Sequence, residues 1–280
     1  MCKWIKIAAL AIGMASYGHA QSIKGMVVET ASGQPIPFVN IGIIGKNVGT
    51  VSALDGTFEL KIAPIEAFQH DSLRFSVIGY ESATFAVKGW RTIPERVNLA
   101  KTAFELPTVT VRPKKTKPFN VGNTGATNQV MLGFSSTLPG TEIACLIPKQ
   151  TEPIFLRSAH FKIANITRSD SIRFRIHVYA EESGLPGREL LPESVIAVFK
   201  KNRGTLTVDM SPYNLVLSKA FFIALELLGS SEASGVLFAG TLWKKPPPYF
   251  MRFTSQSNWE KTEVPVKMSP APGFYVTVVK

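Results

Sequence analysis

The chain has 280 residues, of which 45% are hydrophobic and 18% are charged, and its formal net charge is +11. This length predicts about two domains, and the apolar content excludes a chain that is disordered throughout. The basic residues are dispersed rather than gathered on one face, which argues against a nucleic-acid-binding protein. The net positive charge instead favours a weak attraction to anionic lipid or polysaccharide.

The first 20 residues have the pattern of an export signal. Lys3 and Lys6 supply the positive start, residues 7–14 supply a short apolar run, and the small residue Ala20 ends the segment. We therefore predict a signal peptide cleaved before Gln21 and a protein exported to the periplasm, the outer membrane or the cell surface. The alternative is a buried N-terminal helix. We predict no transmembrane segment in the mature chain, because no later apolar stretch approaches the required length.

The two cysteines are predicted to have no covalent role. Cys2 precedes the apolar run, whereas a lipoprotein signal places its acylated cysteine directly after it, so we expect no lipid anchor. Cys145 would then be the single cysteine of the mature chain, and one thiol cannot form an intramolecular disulfide. Because it lies in the apolar run 143–147, we expect a buried core residue; a reactive thiol is the alternative.

Residues 21–111 are predicted to form a sandwich of seven or eight short strands. The Asp55-Gly56 pair separates two alternating runs, which predicts a hairpin between residues 50–51 and 58–62. The predicted strands are residues 22–30, 38–44, 50–51, 58–62, 73–78, 85–87, 97–99 and 109–111.

An ordered set of short motifs runs through this first domain. In chain order they are residues 25–29 (GMVVE), 32–36 (SGQPI), 39–41 (VNI), 49–52 (GTVS), 55–60 (DGTFEL) and 73–80 (LRFSVIGY). Together they resemble the carboxypeptidase regulatory-like domain, a prealbumin-like Greek-key sandwich. The resemblance implies structural roles, in turns and core, for Gly25, Gly33, Pro35, Asp55, Gly56, Phe58, Gly79 and Tyr80.

The family resemblance also suggests which proteins contain this kind of domain. Such domains often precede the plug of SusC-type, TonB-dependent outer-membrane receptors. The sequence departs from the family at Ala53, where an acidic residue is frequent, and this weakens any cation site at that turn. No His-x-x-Glu motif occurs, so the zinc peptidase for which the family is named is not expected here.

A basic, proline-containing stretch at residues 112–119 is predicted to be a semi-rigid linker, or alternatively a segment that touches a charged surface. Residues 120–280 are predicted to form a second β-sandwich with a jelly-roll-like arrangement, which makes the whole chain all-β. The predicted strands are residues 130–134, 143–147, 154–164, 171–179, 194–199, 204–210, 220–228, 236–241, 249–254 and 274–279. Residues 184–187 are predicted to be a turn.

We find no catalytic or metal-binding constellation in the sequence, and we predict no enzyme activity and no cofactor. His70, His160 and His177 are not at metal-ligand spacing from one another. His177 falls on the face of its strand opposite to Ile176 and Val178, so we expect a solvated or cross-strand side chain. The acidic residues are scattered singly, and Asp170, Asp209 and Glu226 are expected to cap turns or to pair with arginines.

The best candidate for a ligand surface is the segment that contains Trp243 and Tyr249, with Trp259 beyond it. Aromatic rings on loops stack on sugar faces, and Pro246 to Pro248 would hold the segment extended. The alternative is that Trp243 and Phe250 are buried at the edge of the sandwich.

These observations favour a noncatalytic binding or assembly module of the bacterial cell envelope, with a glycan or an envelope protein as its partner. Two alternatives stay open. One is an accessory component of a TonB-dependent nutrient-uptake system, and the other is a hydrolase of unrecognised type. Convergent acids in a cleft, or a histidine with a strongly shifted pKa, would favour the hydrolase.

Overall fold

The computed structural model describes residues 21–102, 117–134, 138–167, 171–229, 235–262 and 268–280. This part of the chain is almost entirely β, as the sequence predicts, and its strands form two sandwich-like pairs of sheets. The predicted signal peptide (1–20), the predicted strand at 109–111 and most of the predicted linker lie outside the described residues. Across the described ranges, no helix has the length and apolarity of a membrane span.

The N-terminal sandwich comprises residues 21–102. One sheet has the strand order β4-β1-β7 and the other has the order β3-β2-β5-β6. Phe58, Leu60 and Phe75 lie in the core between them, as the alternation predicts, and the rings of Phe58 and Phe75 meet edge to face at 5.3 Å. The strands are β1 (Gln21–Glu29), β2 (Asn40–Ile43), β3 (Gly49–Val51), β4 (Thr57–Ile62), β5 (Ser72–Ser76), β6 (Ala83–Ala86) and β7 (Arg96–Leu99), with 3₁₀ helices at Ile65–Phe68 and Val87–Thr92.

The predicted hairpin at Asp55-Gly56 is wrong. The turn exists, and Gly56 has a φ of 77°, but β3 pairs with β2 whereas β4 pairs with β1 in the other sheet. The turn therefore carries the chain from one sheet to the other. The carbonyl of Gly56 accepts the amide of Val27 at 2.9 Å, and a Cβ on Gly56 would lie 2.7 Å from the carbonyl oxygen of Val27. This close contact requires glycine at position 56, and it places the first residues of β4 next to β1.

The C-terminal sandwich comprises the described residues between 117 and 280 and is built from one seven-stranded and one eight-stranded sheet. Strands of both sheets pack around a single large apolar core. The strands are β8 (Phe119–Gly122), β9 (Thr127–Phe134), β10 (Glu142–Ile147), β11 (Ile154–Thr167), β12 (Ile172–Glu182), β13 (Leu185–Glu189), β14 (Val195–Phe199), β15 (Gly204–Asp209), β16 (Val216–Leu217), β17 (Phe221–Gly229), β18 (Gly235–Trp243), β19 (Tyr249–Arg252), β20 (Glu260–Lys261), β21 (Ser269–Pro272) and β22 (Phe274–Val279), and a 3₁₀ helix spans Ser211–Tyr213.

The seven-stranded sheet has the order β13-β12-β17-β10-β19-β20, with β14 also paired to β12. We call it the docking sheet, because the N-terminal sandwich lies on its outer face. Its inner face contributes Ile172, Phe174 and Ile176 to the core, as predicted. Cys145 is buried, as predicted, and burial raises the pKa of its thiol well above the usual value.

The predicted turn at residues 184–187 is displaced by one position. Ser183 and Gly184 both have positive φ, at 53° and 84°, and Glu182 lies opposite Leu185. This is a two-residue hairpin turn of the type whose twist matches that of its strands. Leu185 to Gly187 are therefore the start of β13, which ends at Glu189 beside the candidate site.

The N-terminal sandwich contacts the outer face of the docking sheet directly. Phe38 and Val51 form a small buried cluster with Leu228 of β17. Gln256, after β19, donates from its side chain to the Ser76 hydroxyl at 2.7 Å. A Cβ on Gly49 would lie 2.8 Å from the methyl carbon of Thr254. The close approach of the two sandwiches therefore depends on small residues in the family motifs of the first one.

Candidate binding cleft

A row of four charged residues crosses the centre of the docking sheet. On neighbouring strands, Arg175 of β12 lies opposite Glu226 of β17, Glu226 lies opposite Glu142 of β10, and Glu142 lies opposite Arg252 of β19. Arg175 Nη1 is 3.0 Å from Glu226 Oε2, and Arg252 Nη2 is 2.6 Å from Glu142 Oε2. The row thus consists of two carboxylates side by side with an arginine on each flank. We call it the charge row.

The N-terminal sandwich helps to bury the charge row. The side chains of Glu142 and Glu226 are 0% exposed, and that of Arg175 is 1% exposed. The second guanidinium nitrogen of Arg175 donates to the carbonyl oxygen of Phe38. Phe38 has a φ of 57°, a left-handed conformation that costs a residue with a Cβ about 1–2 kcal/mol. A strained backbone carbonyl in one sandwich therefore accepts a buried charge of the other.

His177 extends the network along β12. Its Nδ1 is 2.6 Å from Glu189 Oε2, and its Nε2 is 2.9 Å from Glu226 Oε2. Burial alone would lower the pKa of His177, but the carboxylates of Glu142, Glu189 and Glu226 outweigh this effect and raise the pKa to about 10. The expectation of a solvated side chain is wrong in this respect. His177 is a cross-strand residue, but it is 4% exposed, because the outer face of its sheet is covered.

Glu189 is held in place by the main chain. Its Oε1 accepts the amides of Val178, Leu190 and Leu191 at 3.0–3.1 Å, which leaves Oε2 for His177. The fixed carboxylate in turn holds the imidazole ring, which stacks on the Tyr179 ring with 5.1 Å between the two ring centroids. The hairpin turn before β13 is thus what brings this carboxylate to the network.

Arg252 joins the charge row to an aromatic cluster. Its guanidinium lies 4.2 Å from the centre of the Trp259 ring, and its Nη2 donates to the Tyr179 hydroxyl at 3.0 Å. Burial alone would lower the pKa of Arg252, but Glu142 and Tyr179 raise it above its ordinary value. Burial also raises the pKa of Tyr179 well above the usual range, with Glu142 adding to the effect. Tyr179 is therefore a neutral phenol and Arg252 a fixed cation.

Five of these groups line a cleft of about 310 Å³ between the two sandwiches: Arg175, His177, Tyr179, Glu189 and Arg252. Four buried side-chain atoms of the network have no hydrogen-bond partner among the described residues: Asn40 Oδ1, Glu142 Oε1, Arg175 Nε and Glu226 Oε1. Asn40 and Arg175 both line the cleft. Because buried polar atoms of folded proteins are nearly always paired, such atoms at a cleft indicate a place for water or a ligand. The cleft is lined by Asn40, Arg74, Ser76, Val77, Ile78, Ser82, Arg175, His177, Tyr179, Glu189, Arg252, Ser255 and Gln256.

The aromatic residues selected from the sequence do not share one surface. Trp243 is 41% exposed at the end of β18, whereas Tyr249 is 4% exposed and belongs to the core of the C-terminal sandwich. Trp259 is partly buried against Arg252 and Tyr179. The alternative, in which Trp243 and Phe250 are both buried at the edge of the sandwich, holds for Phe250 but not for Trp243. Of these three aromatic residues, only Trp259 lies near the cleft, where its ring packs against the guanidinium of Arg252.

The structure places the family-motif residues in turns and in the core of the N-terminal sandwich. Gly33, Gly56 and Gly79 have positive φ in turns, and Tyr80 packs against the core of the N-terminal sandwich. A Cβ on Gly25 would lie 2.5 Å from the Glu95 carbonyl oxygen. Pro35 bridges to Val28, the Asp55 carboxylate accepts the hydroxyl of Thr57, and Phe58 is buried in the core.

Among the acidic residues considered from the sequence, Glu226 pairs with Arg175 and Asp209 caps Ser211, both as predicted. Asp170 lies outside the described residues. Sequence reasoning did not select Glu142, Glu189 or Arg252. Each stands alone in sequence, and only the strand register brings it to the network. Within the described ranges, no group of three or more His, Cys, Asp or Glu residues is arranged to hold a metal ion.

The comparisons with known proteins identify the class of the first sandwich. Residues 23–111 match the family model described as CarboxypepD_reg-like domain. The N-terminal sandwich is therefore a carboxypeptidase regulatory-like domain, and the match does not extend to the C-terminal sandwich that supplies most of the cleft. No curated protein is significantly similar to the chain in sequence.

The similar solved structures are distant. One is that of the cysteine protease and lectin-like domains of Cwp84, a surface layer associated protein of Clostridium difficile, with 9% identity and a TM-score of 0.44; it covers 83% of this chain and 46% of that one. Another is the T13 particle of the virus IBDV, with 9% identity and a TM-score of 0.26, covering 92% of this chain and 60% of that one. The chain thus spans about half the length of the first of these proteins.

Proposed function

We propose that the protein is a noncatalytic binding module exported to the bacterial cell envelope, and that its ligand is a glycan bound in the cleft between the two sandwiches. The observation that carries the proposal is that two residues lining this cleft, Asn40 and Arg175, each have a buried side-chain polar atom without a partner among the described residues. Sugar hydroxyls both donate and accept hydrogen bonds, so they match an unpartnered acceptor on Asn40 and an unpartnered donor on Arg175.

The form of the site supports a small ligand rather than a flat protein partner. Small-molecule sites are concave and often lie where two domains meet, with a few fixed polar groups that orient the ligand. The polar groups here are held by the main chain and by one another, as the three amide contacts of Glu189 illustrate. A preorganised site of this kind loses little entropy when it binds.

A specific observation also favours a second candidate, a hydrolase. Two glutamates, Glu189 and Glu226, contact His177, whose pKa is strongly shifted, and this combination is typical of catalytic sites. The details favour binding over catalysis. With a pKa near 10, His177 is protonated at neutral pH and cannot act as a general base, and both of its ring nitrogens already contact carboxylates. Glu226 does not serve as a general acid, because Arg175 and His177 hold the pKa of this buried carboxyl below its usual value.

The test is a glycan-array screen of the protein beside a variant in which the cleft is blocked. Ser82 is exposed at the cleft and accepts a hydrogen bond from Arg74, so Ser82→Trp places a large ring at the entrance. Ser32→Trp is the matched control, because Ser32 is also exposed but does not line the cleft. We expect glycan binding that Ser82→Trp abolishes and Ser32→Trp retains.

Three results would contradict the proposal. Absence of binding to every glycan would reject a glycan ligand, and a pull-down from envelope extract would then test an envelope protein as the partner. Binding that Ser82→Trp leaves intact would reject the cleft as the site, and the exposed ring of Trp243 would be examined next. Cleavage of a glycan during the screen, lost in His177→Gln, would favour the hydrolase.

A further inference from the structure

We propose that the cleft selects an acidic sugar, one that carries a carboxylate, through the guanidinium of Arg74. This inference rests on the proposed function and specifies its ligand class. It starts from the balance of charge in the cleft. Four cations line the cleft: Arg74, Arg175, His177 and Arg252. The last three contact the carboxylates of Glu142, Glu189 and Glu226.

The three carboxylates are already engaged by three of the cations. Glu226 Oε2 is shared by Arg175 and His177, Glu189 Oε2 contacts His177, and Glu142 Oε2 contacts Arg252. The network of six charged side chains is therefore neutral as a whole, and it presents no free cation of its own to a ligand.

Arg74 is the cation that remains. It lies on β5 of the N-terminal sandwich, exposed at the cleft, and its guanidinium donates to the neutral hydroxyl of Ser82 at 3.0 Å. In the described part of the chain, no carboxylate lies within salt-bridge distance of it. A guanidinium carries a fork of donors that matches the two oxygens of a carboxylate. The cleft therefore lacks one negative charge, and a singly charged carboxylate on the ligand supplies it.

The polar atoms deeper in the cleft define the rest of the ligand. Arg175 Nε has no acceptor and Asn40 Oδ1 has no donor among the described residues. Hydroxyl groups on the ring that carries the carboxylate satisfy both, since a hydroxyl accepts from the first and donates to the second. Tyr179, a neutral phenol in the same lining, adds an aromatic wall. The combination of one carboxylate with neighbouring hydroxyls describes a uronic-acid type of sugar.

The experiment compares uronic-acid oligosaccharides with their neutral parent hexose oligosaccharides on one array, using the full chain. We expect the acidic members to bind about tenfold more tightly or better at low salt, as a charge-assisted contact provides, and less so as ionic strength rises. Arg74→Gln should reduce the acidic preference to within about twofold, and Arg74→Lys should keep part of it. Arg91→Gln is the matched control, because Arg91 is exposed on the same sandwich and stacks on Trp90 away from the cleft lining.

The possible failures are distinguishable. If neutral and acidic members bind equally, or if Arg74→Gln keeps the preference, the acidic-sugar inference is overturned while the proposed function stands. If sugar phosphates bind and uronic acids do not, the carboxylate assignment is overturned. If no glycan binds, the proposed function itself fails. Because Arg74 is exposed, its variants should melt at the same temperature as the parent protein, and this excludes misfolding as the cause of a lost preference.

Discussion

Glu142 and Glu226 lie directly opposite each other on neighbouring strands, and both side chains are completely buried. Two like charges in this position destabilise a sheet. The arrangement is tolerated because Arg252 lies beyond Glu142 and Arg175 lies beyond Glu226, so each carboxylate has a cation on its other side. The stability of the protein should therefore depend strongly on keeping the charge row complete.

We expect Glu226→Gln to lower the free energy of unfolding by about 3 kcal/mol or more, because it leaves Arg175 and His177 buried without their shared carboxylate. Urea unfolding followed by circular dichroism measures the loss. Glu59→Gln, which removes an exposed carboxylate paired with Lys24, should change stability by less than about 1 kcal/mol. Equal effects of the two substitutions would contradict the role of the charge row.

Stability should fall at alkaline pH because of His177. Its pKa is about 10 in the folded protein and about 6.5 when unfolded, so its contribution is complete below pH 6.5 and is lost as the pH rises toward 10. Between pH 6.5 and 9 the loss is about 3 kcal/mol. Urea titrations at several pH values measure this slope. The slope should be largely absent in His177→Gln, and His70→Gln, which replaces an exposed histidine, is the matched control.

The apolar contact between the sandwiches should couple their unfolding. Leu228→Ala removes the side chain that packs against Phe38 and Val51, and we expect a loss of about 2–3 kcal/mol. Calorimetry should show one transition in the parent protein and two partly separated transitions in the variant. Leu54→Ala is the control, since Leu54 is 67% exposed in the N-terminal sandwich, and it should leave the single transition intact. A single, merely shifted transition in Leu228→Ala would show that the two sandwiches do not depend on this contact.

Cys145 should be unreactive in the folded protein. It is buried in the core of the C-terminal sandwich, and burial raises the pKa of its thiol, so little thiolate is available. In a Cys2→Ser background, a chromogenic disulfide reagent should label less than about a tenth of the thiol in native buffer and all of it in denaturant. Rapid labelling in native buffer would show that the core around β10 opens readily.

Most of the fold follows from patterns that are local in sequence. The alternation of residues 171–179 predicts both the strand β12 and the inner positions of Ile172 and Phe174. The pairing partner of β4 was not predictable in the same way, because the Asp55-Gly56 turn is compatible with a hairpin and with a change of sheet. Its choice depends on the contact of Gly56 with Val27, which is distant in sequence.

The residues of the candidate site could not be predicted from the sequence for a similar reason, although one sequence pattern pointed toward the site. Residues 221–228 of β17 are apolar on both faces of the strand except for Glu226, and all of them are buried in the structure. A strand that is apolar in both registers belongs to a sheet covered on both sides. That pattern predicts a cover over the outer face of β12 and hence a buried His177. It does not identify Glu189 or Arg252, since their places depend on register across several strands.

The burial of the charge row has a consequence for how the two halves find their arrangement. While the sandwiches are apart, Arg175 lacks the Phe38 carbonyl and is hydrated instead. When they come together, that hydration is lost, and the loss is compensated only if Phe38 presents its carbonyl to Arg175. A shifted or rotated pose would dehydrate this charge without supplying its partner. The charge row therefore destabilises incorrect orientations of the two sandwiches more than it stabilises the correct one. As a result, the relative orientation of the sandwiches is well defined, and so is the shape of the cleft.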